Sequence, residues 1–267
     1  MSALLLVTDL TYPARGRRYG DEDAYLSARL RESFEVGLCH PLDAAALMDR
    51  FDVVMVRNSG PVMNYPAEYA AFRARALERG TVVYNPLGGR GDMAGKQYLV
   101  DLTTAGFPVI PTVDKADDVD RLPEVETYVV KPKAGADSAG LVFTTRDGID
   151  AGGDVLVQPR VDFQYEVSFY FVDHRFHYAL YAPDPERRWE LTEYRPTGED
   201  LAFAQRFIEW NTLTHGIQRV DACRTADGLF LVELEDLNPY LSLDLVPEST
   251  RDTFVDAVAA SVRSLLG

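Results

Sequence analysis

Four short apolar runs within the first 84 residues restrict the fold more than any other feature of this chain: Leu4–Thr8, Val36–Cys39, Asp52–Arg57 and Thr81–Tyr84. Stretches of helical spacing separate them, at Asp23–Phe34, Asp43–Met48 and Ala67–Arg79, the last ended by Gly80. Unbroken apolar runs of strand length suit strands buried on both faces. Parallel strands need crossovers, and helices supply them, so the pattern predicts a doubly wound parallel sheet. A dinucleotide-binding version would carry Gly-x-Gly-x-x-Gly after the first strand. The segment there reads Thr8-Asp9-Leu10-Thr11-Tyr12-Pro13, without a glycine, which sets that reading aside.

Beyond this region the pattern changes. Residues 94–106 read as a helix ended by Gly106. Thr127–Lys131 reads as a strand, followed by a small-residue loop from Ala134 to Gly140 and a returning strand at Leu141–Thr144. Val155–Gln158, Tyr165–Val172 and Phe176–Tyr181 read as antiparallel strands, with loops at Pro183–Arg188 and Arg195–Glu199. Leu201–His215 is an expected helix, Gln218–Cys223 and Leu229–Glu235 a hairpin about Asp227-Gly228, and 249–265 a final helix.

Composition narrows the partners. The 267 residues carry a formal net charge of −15, which repels phosphate backbones and argues against nucleic acid. Local lysines, arginines and Mg²⁺ can still reverse that sign inside a cleft. The two cysteines, Cys39 and Cys223, have no metal-like spacing and read as reduced buried thiols. No run approaches the roughly 20 apolar residues of a membrane span, and Ala3–Val7 is too short for a signal peptide core, so the expectation is a cytoplasmic protein without a membrane partner. The four histidines show neither metal spacing nor a nucleophile set.

Two clusters carry chemistry. In Tyr128-Val129-Val130-Lys131-Pro132-Lys133, followed by the loop 134–140, a lysine at a strand end faces small residues, including Gly135, Ser138 and Gly140. Small residues let backbone N–H groups approach phosphate oxygens, and the lysine adds a point charge. Taken alone, Lys-Pro before a glycine loop is a common turn. The second cluster is the hairpin, with Asp221 on one strand and Glu233 and Glu235 on the next. Alternation puts Glu233 and Glu235 on one face, with Leu229 and Leu231 expected beside them and Phe230, Val232 and Leu234 opposite. The alternative is a solvated acidic strand, common in so acidic a chain, but apolar residues on both sides favour burial, and converging buried carboxylates call for a cation such as Mg²⁺.

On these residues the chain resembles the ATP-grasp superfamily of ligases, and is similar to glutathione synthetase and D-alanine–D-alanine ligase, in order from about residue 52 to 245. The resemblance implies an ATP-grasp fold with an N-terminal doubly wound (pre-ATP-grasp) sheet domain. It places that domain at 1–86 and the ATP-grasp domain at 87–267, with a small nucleotide lobe about 108–156 and a C-terminal lobe about 157–267. Lys96, eleven residues beyond Asn85, and Lys131 match the two ATP-binding lysines, with Lys133 and the loop 134–140 beside the phosphates. Gln158-Pro159-Arg160-Val161 matches the adenine-binding linker, which needs one carbonyl and one N–H, so the proline is tolerable. Glu166 falls at the ribose-binding acid.

Arg219-Val220-Asp221 is similar to a motif whose arginine steadies the transferred phosphoryl group and whose aspartate binds Mg²⁺. Glu233-Leu234-Glu235 stands where the family has Glu-x-Asn, so Glu235 replaces asparagine. Asp236 and Asn238 are the alternative register if the strand ends early. Ser168 occupies the place of a phosphate-facing arginine, leaving that role to Arg219.

The resemblance implies ATP and two Mg²⁺ ions as cofactors, and C–N bond formation through an acyl phosphate on a small, amino-acid-like substrate. Arg15, Arg17 and Arg18, Arg57, Arg187 and Arg188, with Asn238, are the expected substrate contacts. Two other readings stand beside it. One is a ring-closing synthetase of a natural-product pathway, like the one that forms cycloserine; the other is a degenerate nucleotide-binding protein, which would lack metal ligands. A homodimer through the N-terminal sheet is also implied.

Overall fold

The computed structural model describes residues 1–14, 17–57, 64–134 and 140–267, with backbone only at 13, 14, 17 and 18. Strand β1 (Ala3–Val7) leads through a small antiparallel pair, β2 (Pro13–Ala14) and β3 (Arg17–Arg18), into helix α1 (Tyr19–Leu30). Then come β4 (Glu35–Cys39), α2 (Ala44–Leu47), β5 (Val53–Val56), α3 (Pro66–Arg79) and β6 (Val83–Tyr84). The four longer-range strands pair in parallel in the order β4-β1-β5-β6.

Why the apolar runs are unbroken is now visible. Leu4 and Leu6 of β1 bury one face against Leu26 and Leu30 of α1, while Leu5 and Val7 bury the other against Met48, Phe72 and Ala76. Side chains alternate faces, so a sheet covered on both sides must be apolar at every position. Helix α3 begins on Pro66 and stops at Gly80, whose left-handed φ of 65° lets its N–H close the last turn.

The chain continues through α4 (Tyr98–Thr104) to a three-stranded antiparallel sheet of β7 (Tyr128–Pro132), β8 (Val142–Thr144) and β9 (Val155–Pro159), ordered β8-β7-β9. A five-stranded sheet follows, with β10 (Tyr165–Val172), β11 (Arg175–Ala182), β12 (Thr192–Tyr194), helix α5 (Gly198–Asn211), β13 (Ile217–Thr225) and β14 (Gly228–Glu235). Its order is β12-β11-β10-β13-β14, antiparallel throughout. One face packs on α4 and α5, where Phe169, Phe171, Val220 and Leu234 meet Leu99, Leu102, Phe207 and Ile208. Helix α6 (Glu248–Leu265) lies against the parallel sheet and Tyr178 and Leu180 together, so the last helix shares a core with the first strands.

Several boundaries differ from the expectation, for local reasons. Helix α1 starts four residues early. The helix expected over 94–106 is a 3-10 turn (Asp92–Ala94), then Gly95 at φ 85°, then α4, because the Lys96 N–H is turned to the Lys133 carbonyl (3.1 Å). Helix α5 starts at a reciprocal cap in which the Asp200 N–H donates to Thr197 Oγ1 (3.2 Å) and the Thr197 N–H to Asp200 Oδ2 (2.9 Å). It ends at Thr212, left-handed at φ 64°, short of the expected His215. The pair β2–β3 and strand β12 were not anticipated.

The hairpin carries a correction that bears on the site. Asp221 pairs with Glu233 but its neighbour Ala222 pairs with Leu231, so Val232 is an extra residue, a β-bulge. Leu229, Leu231 and Leu234 therefore share the core face, and Val232, Glu233 and Glu235 the other. The leucines expected beside the carboxylates are on the opposite side, because the bulge breaks simple alternation.

Candidate active site

A cavity of about 780 Å³ opens between the three-stranded and five-stranded sheets, lined by β7, β8 and β9 on one side and β10, β13 and β14 on the other. Register fixes the order of its floor. Glu166 lies across from Cys223, Ser168 from Asp221, and Tyr170 from Arg219; Asp221 in turn faces Glu233 and Arg219 faces Glu235.

At its centre, one oxygen each from Asp221, Glu233 and Glu235 lies within 4.8 Å of the others. Arg219 grips this cluster. Its Nε and Nη2 donate to the two oxygens of Asp221 (2.8 and 2.7 Å), Nη2 also reaches Glu235 Oε1 (2.5 Å), and Nη1 donates to the Tyr240 carbonyl (2.8 Å). Lys96, largely buried, forms an ion pair with Glu233. Burial pulls the Lys96 ammonium down, and the adjoining Glu233 carboxylate outweighs it, leaving its pKa above the ordinary value. For Lys131, burial wins and the ammonium is pushed down to about 8, with Glu233 opposing and Lys96 adding to the fall. Burial drives the Glu235 carboxyl up to about 8, against Arg219 and with help from Asp221 and Glu233.

Mg²⁺ fits this donor set. It takes octahedral oxygen ligands at about 2.1 Å, hard carboxylates are its usual protein ligands, and one oxygen from each acid lies within 4.8 Å of the others. A dication between the three would also offset the burial that, with Asp221 and Glu233 adding, makes the Glu235 charge unfavourable.

The alternative register does not gather at the cavity. Asp236 is fully buried, and its carboxylate accepts the N–H groups of Gly91 and Met93 (both 2.9 Å) and Asn211 Nδ2 (3.0 Å). Gly91 is required there, since a Cβ would stand 3.0 Å from the Asp236 carboxyl carbon and 2.6 Å from the Leu234 carbonyl oxygen. Asn238 is also buried and lines no part of the cavity.

Of the other expected contacts, Lys96, Lys131, Gln158, Pro159, Val161, Glu166 and Arg188 line the cavity. The Gln158 amide is turned into the protein, donating to Thr112 Oγ1 (2.8 Å). Glu166 Oε2 accepts from Arg188 Nε (2.8 Å). Lys133 is outside the lining, because its ammonium is tied to Asp114 (2.8 Å). Gly140 is needed where it stands, at φ 77° and with Pro132 Cγ only 2.9 Å from any Cβ. Gly135, Ser138 and Arg15 lie outside the described residues, as do the side chains of Arg17 and Arg18.

Two expected substrate arginines are structural. Arg57 is buried, its donors taken by Asp23 (3.1 Å), Glu22 (2.9 Å) and the Pro239 carbonyl (3.2 Å). Arg187 is exposed and held by Asp184 and Glu190 (2.9 and 2.8 Å), away from the cavity. Sequence reasoning missed the aromatic lining from Tyr19, Tyr170, Trp189 and Tyr240. Those residues are scattered along the chain without a motif.

Superposed on solved structures, the chain matches the crystal structure of the D-cycloserine synthetase DcsG with a TM-score of 0.75, covering 97% of this chain and 99% of that one at 23% identity. The chain has the ATP-grasp fold. A D-alanine–D-alanine ligase from Bacillus anthracis complexed with ATP matches this ATP-grasp chain at TM-score 0.64 and 9% identity over 99% of both chains. The ATP-grasp ligase PsnB, with a phosphomimetic precursor variant, Mg and ADP, matches at 0.64 and 17% identity over 97% and 98%. Among curated sequences, the cycloserine biosynthesis protein DcsG of Streptomyces lavendulae is 27% identical over 247 residues, spanning 77% of this chain and 82% of that protein. No model of a known protein family matches the chain. No helix among the described residues is long and apolar enough to cross a membrane.

Proposed function

We propose that this ATP-grasp protein is an ATP-dependent ligase that activates a small carboxylic acid as an acyl phosphate and transfers the acyl group to an amine. The observation that carries the reading is the carboxylate triad of Asp221, Glu233 and Glu235 gripped by Arg219 and Lys96 on one wall of the cavity. A degenerate nucleotide binder has no need to keep three carboxylates converging on the wall of the cavity.

In this reading Gln158–Val161 present backbone to the adenine, Glu166 the ribose, and Lys96 and Lys131 the phosphates. Burial disfavours the Lys131 ammonium, and phosphate oxygens arriving beside it would favour its charged form. Asp221, Glu233 and Glu235 would hold two Mg²⁺ ions, which when bound draw charge from the phosphate oxygens. A carboxylate oxygen of the acceptor attacks the γ-phosphorus, the bond to the β–γ bridging oxygen breaks, and ADP leaves with the electron pair. Arg219 stands against the moving phosphoryl group and stabilises its charge. An amine then attacks the acyl carbon, phosphate leaves, and the amine loses its proton. Residues 1–86 would carry the acceptor side and 87–267 the nucleotide side.

A second reading has the amine and the carboxylate in one molecule, making the enzyme ring-closing. The likeness to DcsG in sequence and fold favours it. The common core of both readings is tested by melting curves. ADP with Mg²⁺ should raise the melting temperature of the wild type, because it binds only the folded state, and most of that rise should vanish in Lys131→Ala. A rise of equal size in the variant would remove Lys131 from the nucleotide site.

A further inference from the structure

Glu22, Asp23 and Arg57 are buried charges to which the proposed reaction gives no role. Glu22 and Arg57 nevertheless hold one short stretch of backbone, residues 239–243. Arg57 Nη1 donates to the Pro239 carbonyl (3.2 Å), while the Leu241 N–H donates to Glu22 Oε1 (3.0 Å) and the Leu243 N–H to Glu22 Oε2 (3.3 Å). From β11, the Tyr178 hydroxyl donates to the Leu241 carbonyl (2.7 Å). Leu241 and Leu243 are buried in the core shared with α1 and α6, and the residues alternating with them, Tyr240 and Ser242, line the cavity.

The same stretch helps to fix Arg219. A guanidinium has five N–H groups in a planar fork. Those on Nε and Nη2 go to Asp221 and Glu235, and one of the two on Nη1 goes to the Tyr240 carbonyl. Among the described residues no acceptor takes the second Nη1 hydrogen. Because the fork is planar, the direction of that hydrogen is set by the grip on the two acids and by the Tyr240 carbonyl.

Resting on the ligase reading, we infer that Glu22 and Arg57 are positioning residues for phosphoryl transfer. They hold the 239–243 backbone, the Tyr240 carbonyl holds Arg219 Nη1, and the remaining Nη1 hydrogen is kept in place for the moving phosphoryl group. A donor fixed in advance stabilises charge in flight without reorganising, so a loosened backbone weakens that stabilisation more than it weakens nucleotide binding. Glu22 is on α1 and Arg57 directly follows β5, so the parallel-sheet part of the chain acts on the nucleotide side through this segment.

The test is calorimetric titration of ADP and Mg²⁺, with and without aluminium fluoride, a mimic of the phosphoryl group in transfer. Amide exchange at Leu241 and Leu243 is followed in the same proteins without nucleotide. Glu22→Gln keeps the size but has one oxygen for three donors that two oxygens now serve, so an N–H group is left facing another. Tyr178→Phe removes one hydroxyl from the opposite side of the segment and leaves every charge in place. Both should speed exchange at Leu241 and Leu243. Glu22→Gln should cut the tightening by aluminium fluoride about tenfold, and Tyr178→Phe by a smaller factor, with the affinity for ADP and Mg²⁺ alone within about twofold of wild type. Phe72→Leu, which loosens the other face of the parallel sheet, should keep the tightening. Unchanged exchange, or faster exchange with undiminished tightening, overturns the inference, and so does an equal loss in Phe72→Leu. If Glu22→Gln does not fold, Tyr178→Phe decides by the same results. A wild type that binds ADP without tightening by aluminium fluoride also overturns it, whereas one that does not bind ADP brings down the ligase reading beneath it.

Discussion

Replacing Glu233 by glutamine separates two views of the triad. If crowding of like charges dominated, removing one would stabilise the empty protein. The structure argues the reverse, because Glu233 is the ion-pair partner of Lys96, whose side chain is 11% exposed. Burial raises the Glu233 pKa, but Lys96 and Lys131 outweigh it and hold the carboxyl below its ordinary value, so the site favours the charge. Stripping one partner from a fully buried pair costs about 3–5 kcal/mol. Here Glu233 is 27% exposed and glutamine keeps an oxygen for Lys96, so the expected loss is about 1–2 kcal/mol. For a chain of this size that is a fall in melting temperature of about 2–8 °C. The assay is a pair of melting curves without nucleotide, wild type and Glu233→Gln, with Lys96→Met and the double variant to close the cycle. The double variant should lose less than the sum of the singles. A melting temperature that rises in Glu233→Gln, with additive singles, would refute the pairing argument and restore the crowding view.

Asp236→Asn removes a buried charged acceptor of three N–H groups and should cost about 2–3 kcal/mol in urea unfolding, while Mg²⁺-dependent nucleotide affinity stays. Loss of that affinity would move the metal site to Asp236 and Asn238. Arg57→Leu strands Glu22 and Asp23 in the interior and should lower stability by about 3–5 kcal/mol, a structural effect visible by chemical denaturation without any substrate. Burial, with Arg175 adding, holds His177 down at about 4. The unfolded chain takes up a proton near 6.5 and the folded one only near 4. Stability from this group is complete above 6.5 and falls as the pH drops toward 4. His177→Gln should flatten that acid limb in melting curves, and an unchanged limb would show the ring to be hydrated in the fold.

The parallel sheet was legible because burial on both faces leaves unbroken apolar runs, as at Leu4–Val7 and Val53–Val56. The triad was legible because acids at 221, 233 and 235 stand on a hairpin with a clear turn. The bulge at Val232 was hidden, since an inserted residue looks like ordinary alternation until the partner strand is known. Arg57 was misread for a related reason: its partners, Glu22 and Asp23, lie more than 30 positions away on α1, and only the packed core brings them together. The aromatic lining of the cavity comes from positions 19, 170, 189 and 240, and no local window contains it.

The central claim is that Asp221, Glu233 and Glu235 hold the metal through which a nucleotide is bound in this cavity. Calorimetric titration of ADP, with and without Mg²⁺, into the wild type and Asp221→Asn tests it most directly. The account predicts that Mg²⁺ tightens ADP binding at least tenfold in the wild type, a difference of about 1.4 kcal/mol, and that Asp221→Asn abolishes the tightening while metal-free binding persists. Equal tightening by Mg²⁺ in both proteins, or no binding of ADP to the wild type, would contradict it.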